Sequence, residues 1–333
     1  MILPRLSAYR LMVIAATLTI AVTAMLASAL AVLGGRSLPI AVRHDLAAAA
    51  DTTLLISGNV TASNDAQYAR LLPGEISKAL AGTPYTFYHA AWSDPLGFTG
   101  GSAPAGAGNP PLAEAAALDE VAAHATLVSG SWPGQPSGGV IQAALPATAA
   151  ALMHLTAGQT VTFKDRISGD SVRFRITGLY RASQATGAAA QYWRLNLIGL
   201  SGSSTVGGFI TYGPLTVPRS AFTGSGALVQ AQASWLAEPR IVAMPQDQFS
   251  GIAHNLNELS ASLGGPVSLP SLQLTSGLPS TLSAIATNLD VARSLLAICA
   301  ILLALLGGAV LLAVARLLYG QREEETAILV ARG

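Results

Sequence analysis

Ser294–Ala315 reads SLLAICAILLALLGGAVLLAVA, 22 positions without a charge, and directly behind it Arg316–Gly333 reads RLLYGQREEETAILVARG. At about 1.5 Å per residue in a helix the first stretch reaches about 33 Å, enough to cross a hydrocarbon core of about 30 Å. The second stretch is polar and then amphipathic. Together they assign 294–315 to a transmembrane helix and 316–333 to a segment on its far side, so the rest of the chain belongs on one face of a membrane.

Working outward, Leu11–Leu33 forms another uncharged apolar run, preceded by Arg5 and Arg10. The positive-inside tendency places residues 1–10 in the cytoplasm, makes 11–33 the first transmembrane helix, and returns the chain to the cytoplasm after 315, where Arg316 and Arg322 flank the second span. An alternative is a cleaved secretory signal, because Ala27-Ser28-Ala29 has the small-x-small form of a cleavage site. The run exceeds the usual 7 to 15 residues of a signal core, which favours an uncleaved anchor. On the first span Thr19, Thr23, Ala27 and Ala31 recur every fourth residue, and Ala304 and Gly308 do so on the second. Such small-residue stripes let helices pack closely in lipid.

Between the spans, 34–278 has the punctuation of a mixed α/β extracytoplasmic domain. Strand candidates are Thr52–Val60, Tyr85–His89, Val140–Leu145, Thr160–Lys164, Val172–Tyr180 and Leu228–Leu236. In Val172-Arg173-Phe174-Arg175-Ile176 apolar and basic residues alternate, which predicts a half-buried strand with a wet face. Helix candidates are Gly74–Leu80, Leu112–Ala125, Pro146–Leu155 and Gln246–Leu263. Gly97–Pro111 and Ala182–Gly208, rich in Gly, Ala, Ser and Pro, read as long loops or insertions. From Pro279, with Ser280 as cap, a helical pattern runs through 279–293 into the apolar run with no Gly or Pro to break it, predicting a stalk continuous with the second span. The fold class expected is therefore a membrane protein of the α+β class: two transmembrane helices flanking a mixed α/β extracytoplasmic domain with a stalk helix.

Composition narrows the function. Hydrophobic residues make up 51% and charged residues 11% of the chain, against a usual charged share of about 25%. Mean hydropathy is +0.49, the balance of a chain partly dissolved in lipid. A net charge of +1 gives no broad basic field, which argues against nucleic acid as a partner. The one cysteine, Cys299, sits in the apolar run, so no intramolecular disulfide or cysteine cluster can form. The only lysines are Lys78 and Lys164, and no G-x-x-x-x-G-K-[ST], H-E-x-x-H or G-x-S-x-G occurs. The chain builds no P-loop of its own. His44, His89, His124, His154 and His254 stand singly and read as surface or packed structural residues. Asp119-Glu120 and Asp165/Asp170 read as turn and surface carboxylates, Trp92, Trp132, Trp193 and Trp235 as packing anchors, and Asn59-Val60-Thr61 as a bare sequon. No catalytic residue, metal ligand or cofactor site is nominated, and the chain is expected not to be an enzyme.

The tail Arg322-Glu323-Glu324-Glu325-Thr326-Ala327-Ile328-Leu329-Val330-Ala331-Arg332-Gly333 resembles the segment that follows the second transmembrane helix in FtsX/MacB-like ABC-transporter permeases. Glu325, Ala327, Leu329, Ala331 and Gly333 fall in place, while Val330 stands where Lys or Arg is more usual, so no charge contact is carried over there. Two further blocks resemble the extracytoplasmic domain of actinobacterial members. One runs from Leu127-Val128-Ser129-Gly130-Ser131-Trp132-Pro133 through Ala144-Leu145-Pro146 and Gly158-Gln159-Thr160-Val161 to Ile176-Thr177-Gly178-Leu179-Tyr180. The other is Tyr212-Gly213-Pro214-Leu215-Thr216-Val217, ahead of Arg219 and Phe222.

The resemblance implies a permease subunit, or its N-terminal half, coupling ATP hydrolysis by a separate cytoplasmic P-loop ATPase to movement of an outer α/β domain with an inserted lobe, for export, extraction or mechanotransmission. It implies ATPase coupling through Arg322, Glu325, Ile328, Leu329 and Arg332, a plasma-membrane location with both termini cytoplasmic, and further permease helices or a second permease copy beside the bilayer. Because members carry further helices, the chain is expected to be a fragment. The competing architecture is a membrane-anchored sensor with a shortened cytoplasmic output; the heptads of a sensor's coiled-coil linker are not found in Leu317–Gly333.

Overall fold

The computed structural model describes residues 17–18, 21–26, 28–29, 32, 51–99, 104, 109–183, 191–223, 228–263 and 272–330, with side chains left aside at 314 and 317–330. The chain separates into two units, Ala49–Leu282 and a second made of Met1–Ala48 with Ser283–Gly333.

In Ala49–Leu282 the strands are β1 Leu54–Asn59, β2 Tyr85–Ser93, β3 Leu96–Phe98, β4 Leu112–Leu118, β5 Ala125–Gly130, β6 Val140–Pro146, β7 Thr160–Asp165, β8 Ser171–Ala182, β9 Ser203–Val206, β10 Phe209–Thr216, β11 Gln230–Pro239 and β12 Leu272–Thr275. The helices are α1 Ala62–Ala79, α2 Val121–His124, α3 Ala147–Met153, α4 Ile198–Ser201 and α5 Phe249–Leu263, and α6 Leu278–Val330 begins here. Strands β12, β1, β11, β2 and β4 form an open antiparallel sheet. From β4 the ladder continues through β3, β7, β8, β6 and β10, and β10 pairs back onto β4, closing a six-stranded barrel.

Two strands make closure possible by taking two partners along one edge. Strand β4 pairs with β3 through Leu112 and Ala113 and with β2 through Ala116–Leu118, while β10 runs parallel along its other edge. Strand β8 repeats the scheme: β7 pairs with its first half, β5 with its second, and β6 runs parallel opposite. The step from β2 to β3 is a bend at Asp94-Pro95. Pro95 has no N–H to give to a ladder, and the Ser93 hydroxyl fills the gap, accepting from Ala115 N–H at 3.1 Å and donating to Asp94 O at 2.8 Å.

The barrel lumen holds Ala113, Ala115 and Ala117 of β4 with Leu96, Ile141, Leu145, Phe163, Phe174, Ile176 and Leu215. On β8 Val172, Phe174, Ile176, Tyr180 and Ala182 are buried while Ser171, Arg173, Arg175 and Arg181 are exposed, the alternation expected of Val172–Ile176. Outside the barrel, α1 and α5 pack on one another, α1 against β11 and α5 against β12. Their buried residues Tyr68, Leu72 and Ile76, and Ile252, Leu256 and Leu263, follow helical spacing. All six strand expectations and the helices at Pro146–Leu155 and Gln246–Leu263 have counterparts, and Gly74–Leu80 is the end of the longer α1.

Two expectations are corrected. Leu112–Ala125 is not a helix but β4, a four-residue turn of helix and the first residue of β5. Its alanines favour helix locally, but strand partners on both edges, and a lumen whose other walls carry Phe163 and Phe174 and so leave room only for small side chains on this one, override that preference. Ala182–Gly208 is not simply loop. Within its described part Tyr192, Trp193 and Leu195 are buried and join Tyr88, Leu118, Tyr180 and Leu236 in a second core on the outer face of the barrel. Gly199 belongs to this lobe: a Cβ there would lie 2.4 Å from the Trp193 ring, so only glycine lets the indole pass.

In the other unit α6 continues to Val330. It is the one helix among the described residues long and apolar enough to cross a membrane; its most apolar window has mean hydropathy 2.9 and none of that window is buried. The first span, expected at 11–33, falls largely outside the described residues; those that are described, 17–18, 21–26, 28–29 and 32, are helical.

Candidate functional site at the root of the long helix

A 53-residue helix needs its first N–H groups satisfied and its start held, or it frays from the domain it leaves. Gly277 precedes it. The Gly277 N–H donates to Asp51 Oδ2 at 3.0 Å, and Gly277 O accepts from Thr281 N–H, the Thr281 hydroxyl and the Ser280 hydroxyl. A Cβ on Gly277 would come within 3.1 Å of Asp51 Cβ and of its carbonyl, so glycine allows the carboxylate this approach. Ser280, expected as the cap, instead lies within the first turn and bonds back to Gly277. The Leu278 N–H is taken by the Ser276 hydroxyl at 3.1 Å. A carboxylate at this end also meets the positive pole of the helix dipole.

Asp51 is held in turn by Arg194, whose guanidinium reaches Asp51 Oδ1 and the Thr53 hydroxyl. Arg194 sits in the short 3-10 turn Trp193–Leu195, between two buried side chains. Trp193 stacks toward Tyr180 of β8 at 6.3 Å between centroids and meets Tyr192 edge-on at 5.3 Å. Tyr192 donates to Asp119 O at 2.6 Å and stacks on His124 at 3.8 Å. Gln191 and Thr52 hydrogen-bond beside the ion pair. The helix root is thus connected, contact by contact, to the lobe and through it to the barrel wall. Asp51 and Arg194 drew no notice in the sequence; nothing in their spacing, 143 positions apart, announces the pair.

Beyond the root, Leu278, Leu282, Ile285 and Leu289 are buried at spacings of three and four. Ala304 and Gly308 lie on the exposed surface of α6, and a Cβ at Gly308 meets nothing within 4 Å among the described residues. Thr23 is helical and half-buried; Thr19, Ala27 and Ala31 lie outside the described residues. Arg322, Glu325, Ile328 and Leu329 lie on the backbone of α6, so the helix carries past Ala315 without a break; Arg332 lies outside the described residues.

The remaining singled-out residues take structural places. His89 is buried, stacked on Trp235, with Nε2 2.8 Å from Asp65 Oδ1 but out of line for a hydrogen bond. His254 pairs with Glu258 on the surface at 3.2 Å, His154 closes α3 in a left-handed conformation, and His44 lies outside the described residues. Asp119 takes Arg219 at 2.8 Å. Asp165 caps its own turn, accepting from Ile167 N–H at 2.7 Å and Ser168 N–H at 3.0 Å. Trp193 and Trp235 are fully buried, Trp92 and Trp132 half so.

The blocks that resemble the permease family fall on β5 to β8 and on β10, all strands joined to the barrel. No family model matches the chain, and no curated protein matches it significantly. Among solved structures it is similar to a domain of a Porphyromonas gingivalis protein described as a permease, at 9% identity and a TM-score of 0.27, over 68% of this chain and 89% of that one.

Proposed function

We propose that this chain is a permease-type subunit of an ATP-driven membrane complex, in which α6 carries motion between a separate cytoplasmic P-loop ATPase and the barrel-bearing domain outside. The observation that carries the reading is the single helix Leu278–Val330, tied to the domain at Asp51, apolar enough in its middle to cross a bilayer, and running on into the Glu-rich tail. A stiff rod held at one end by a cap and an ion pair transmits a displacement to what it is tied to, and needs no catalytic residue. In this reading both termini are cytoplasmic, residues 11–33 form the first span, and the small-residue positions Thr19, Thr23, Ala27, Ala31, Ala304 and Gly308 pack against further permease helices or a second copy. The tail residues Arg322, Glu325, Ile328, Leu329 and Arg332 rest on the ATPase.

The test is copurification from membranes. The full chain should bring down a P-loop ATPase, and replacing Glu325, Leu329 and Arg332 by alanine should abolish that association while the protein still inserts. An ATPase retained by the triple variant overturns the coupling role. A Thr326→Cys label reached from the same side as a Ser131→Cys label overturns the topology, and with it the machine.

A further inference from the structure

Two neighbouring hairpins end in apolar tips. The turn 166–170 between β7 and β8 carries Ile167, and the turn Gly207-Gly208 between β9 and β10 follows Val206; each of these side chains is 74% exposed. The second turn has positive φ at both central residues, and both are glycine. The tips lie side by side: Val206 pairs across its hairpin with Phe209, and the Arg166 guanidinium stands over the Phe209 ring, 5.6 Å from its centroid. A cleft of about 460 Å³ opens beside Ile167, where Phe98, Pro110 and Leu112 share the lining with Lys164 and Arg166.

Behind the first tip the hairpin is cationic on its outer face. Lys164 stands opposite Ser171, Arg173 opposite Thr162 and Arg175 opposite Thr160, and on the other edge of β8 the neighbours of Arg173 and Arg175 are Val140 and Gln142. Lys164, Arg173 and Arg175 are exposed. Neither they nor Arg166 make an ion pair among the described residues, whereas Lys78, Arg194 and Arg219 each hold a carboxylate. Of the hairpin's acids, Asp165 is buried with Oδ1 taken by two N–H groups of its own turn, which leaves Asp170 exposed. Opposite-charge pairs stabilise a sheet and like charges do not. The row of cations and the bare isoleucine ahead of it are therefore not explained by the stability of the domain.

We propose that these hairpin tips dock on an anionic phospholipid surface, Ile167 and Val206 entering the boundary between headgroups and acyl chains while Lys164, Arg166 and Arg173 meet the phosphates. A lipid surface answers both halves of the patch: apolar side chains are buried at that boundary, and each Lys or Arg close to an anionic leaflet adds attraction. At about 3.4 Å per residue along a strand, Lys164 and Arg173 lie within about 10 Å of the turn, close to one Debye length. An acidic protein surface would answer the cations alone. The inference rests on the reading of α6 as a membrane span, which keeps the domain near lipid, and not on the coupling role of the tail.

The full chain, with Cys299→Ala removing its one cysteine, is placed in phosphatidylcholine discs. It carries a polarity-sensitive dye at Thr205→Cys, next to Val206, or at Ala66→Cys on α1, both exposed positions. Vesicles rich in phosphatidylglycerol and bearing a lipid-linked quencher are added, and in a second arm the same lipids form the disc itself. In at least one arm the dye at 205 should shift to shorter wavelength and be quenched while the dye at 66 stays in water, and phosphatidylcholine alone should produce neither change. Lys164→Glu with Arg166→Glu turns attraction into repulsion and should weaken docking by about tenfold or more. Added salt should weaken it with no substitution at all, and Ile167→Ser with Val206→Ser should reduce the quenching. A dye at 205 that stays aqueous in both arms, or enters neutral lipid as readily as anionic, overturns the proposal, as does docking indifferent to salt and to the charge reversals. A chain that does not remain in its discs overturns the reading of α6 instead, and is seen before any dye is read.

Discussion

Inside the barrel, three alanines of β4 share a lumen with Phe163, Phe174, Ile176 and Leu215. Two and three strands along the ladder, the open sheet buries Leu54, Ile56 and Trp235, and α1 and α5 bring Leu72, Ile76, Ile252 and Leu256. The contrast has a geometric origin. A closed six-stranded ring has an interior whose size is set by strand number and tilt, so large side chains from one wall require small ones from the other. An open sheet meets helices that can stand nearer or farther, so both sides can carry large side chains. The barrel should therefore behave as a rigid volume and the helix layer as an adjustable one.

Truncation tests this most strongly. Phe174→Ala leaves a void that a ring of paired strands cannot close, and should cost about 3–5 kcal/mol. Leu72→Ala lies where α1 can settle toward β11 and should fall near the low end of about 2–5 kcal/mol. Denaturant unfolding of the full chain in detergent, followed by tryptophan fluorescence, compares the two; a larger loss at Leu72 breaks the contrast. The reverse operation should show the same asymmetry at smaller size. Ala115→Leu overfills the lumen and should cost about 1–3 kcal/mol. Ala79→Leu, at the end of α1, should cost less than Ala115→Leu in the same measurement.

The same contrast explains what could be read from the sequence. Strands with one wet face, such as Val172–Ile176, declare themselves by alternation, and α5 by its apolar period. Strand β4 is buried on both faces and built of Ala, Glu and Leu, so it carries neither strand period nor β-branched side chains. Its identity depends on partners at both edges, which lie far away in sequence. The lobe at 191–206 was hidden in the same way, since its aromatic residues sit among Gly, Ala and Ser that read as loop. Glu114 and Asn196 meet only because the lobe folds back over β4, so that contact was illegible. The long helix was legible throughout because its signal is composition, although its start lies three residues earlier than a cap at Ser280 implies.

At the helix root the effect should be smaller, because the groups are partly exposed. Asp51→Ala removes the acceptor for Gly277 N–H and the partner of Arg194, and should cost about 0.5–2 kcal/mol, the range for losing a helix cap. Asp51→Asn keeps a capping oxygen and gives up the charge, so it should recover about half. Hydrogen exchange at Leu278–Leu282 distinguishes a local from a domain-wide effect. Faster exchange there with the barrel amides unchanged fits a root joined by few contacts. Loosening of β8 as well would mean that the chain from Arg194 through Trp193 to Tyr180 is stiff enough to carry strain into the ring.

The smallest effect should come from Glu114, on the strand that both regions share. Burial raises its pKa, so the folded protein holds this proton more tightly than the unfolded chain does. Its contribution to stability is complete below the usual glutamate pKa of about 4.3 and is lost as pH rises through the higher folded value. Glu114→Gln keeps an oxygen for Asn196 and removes the titration. Asp94 and Glu238, also pushed up by burial, and His124, pushed down by it, remain in both proteins and cancel in the difference. The unfolding midpoint of the variant minus that of wild type should therefore rise from acid toward neutral pH, with its step above the usual glutamate range. A flat difference would mean that Glu114 is ionised at no cost, that water reaches β4 freely on this side, and that the face shared by barrel and open sheet is wetter than the packing of Tyr192 and Trp193 requires.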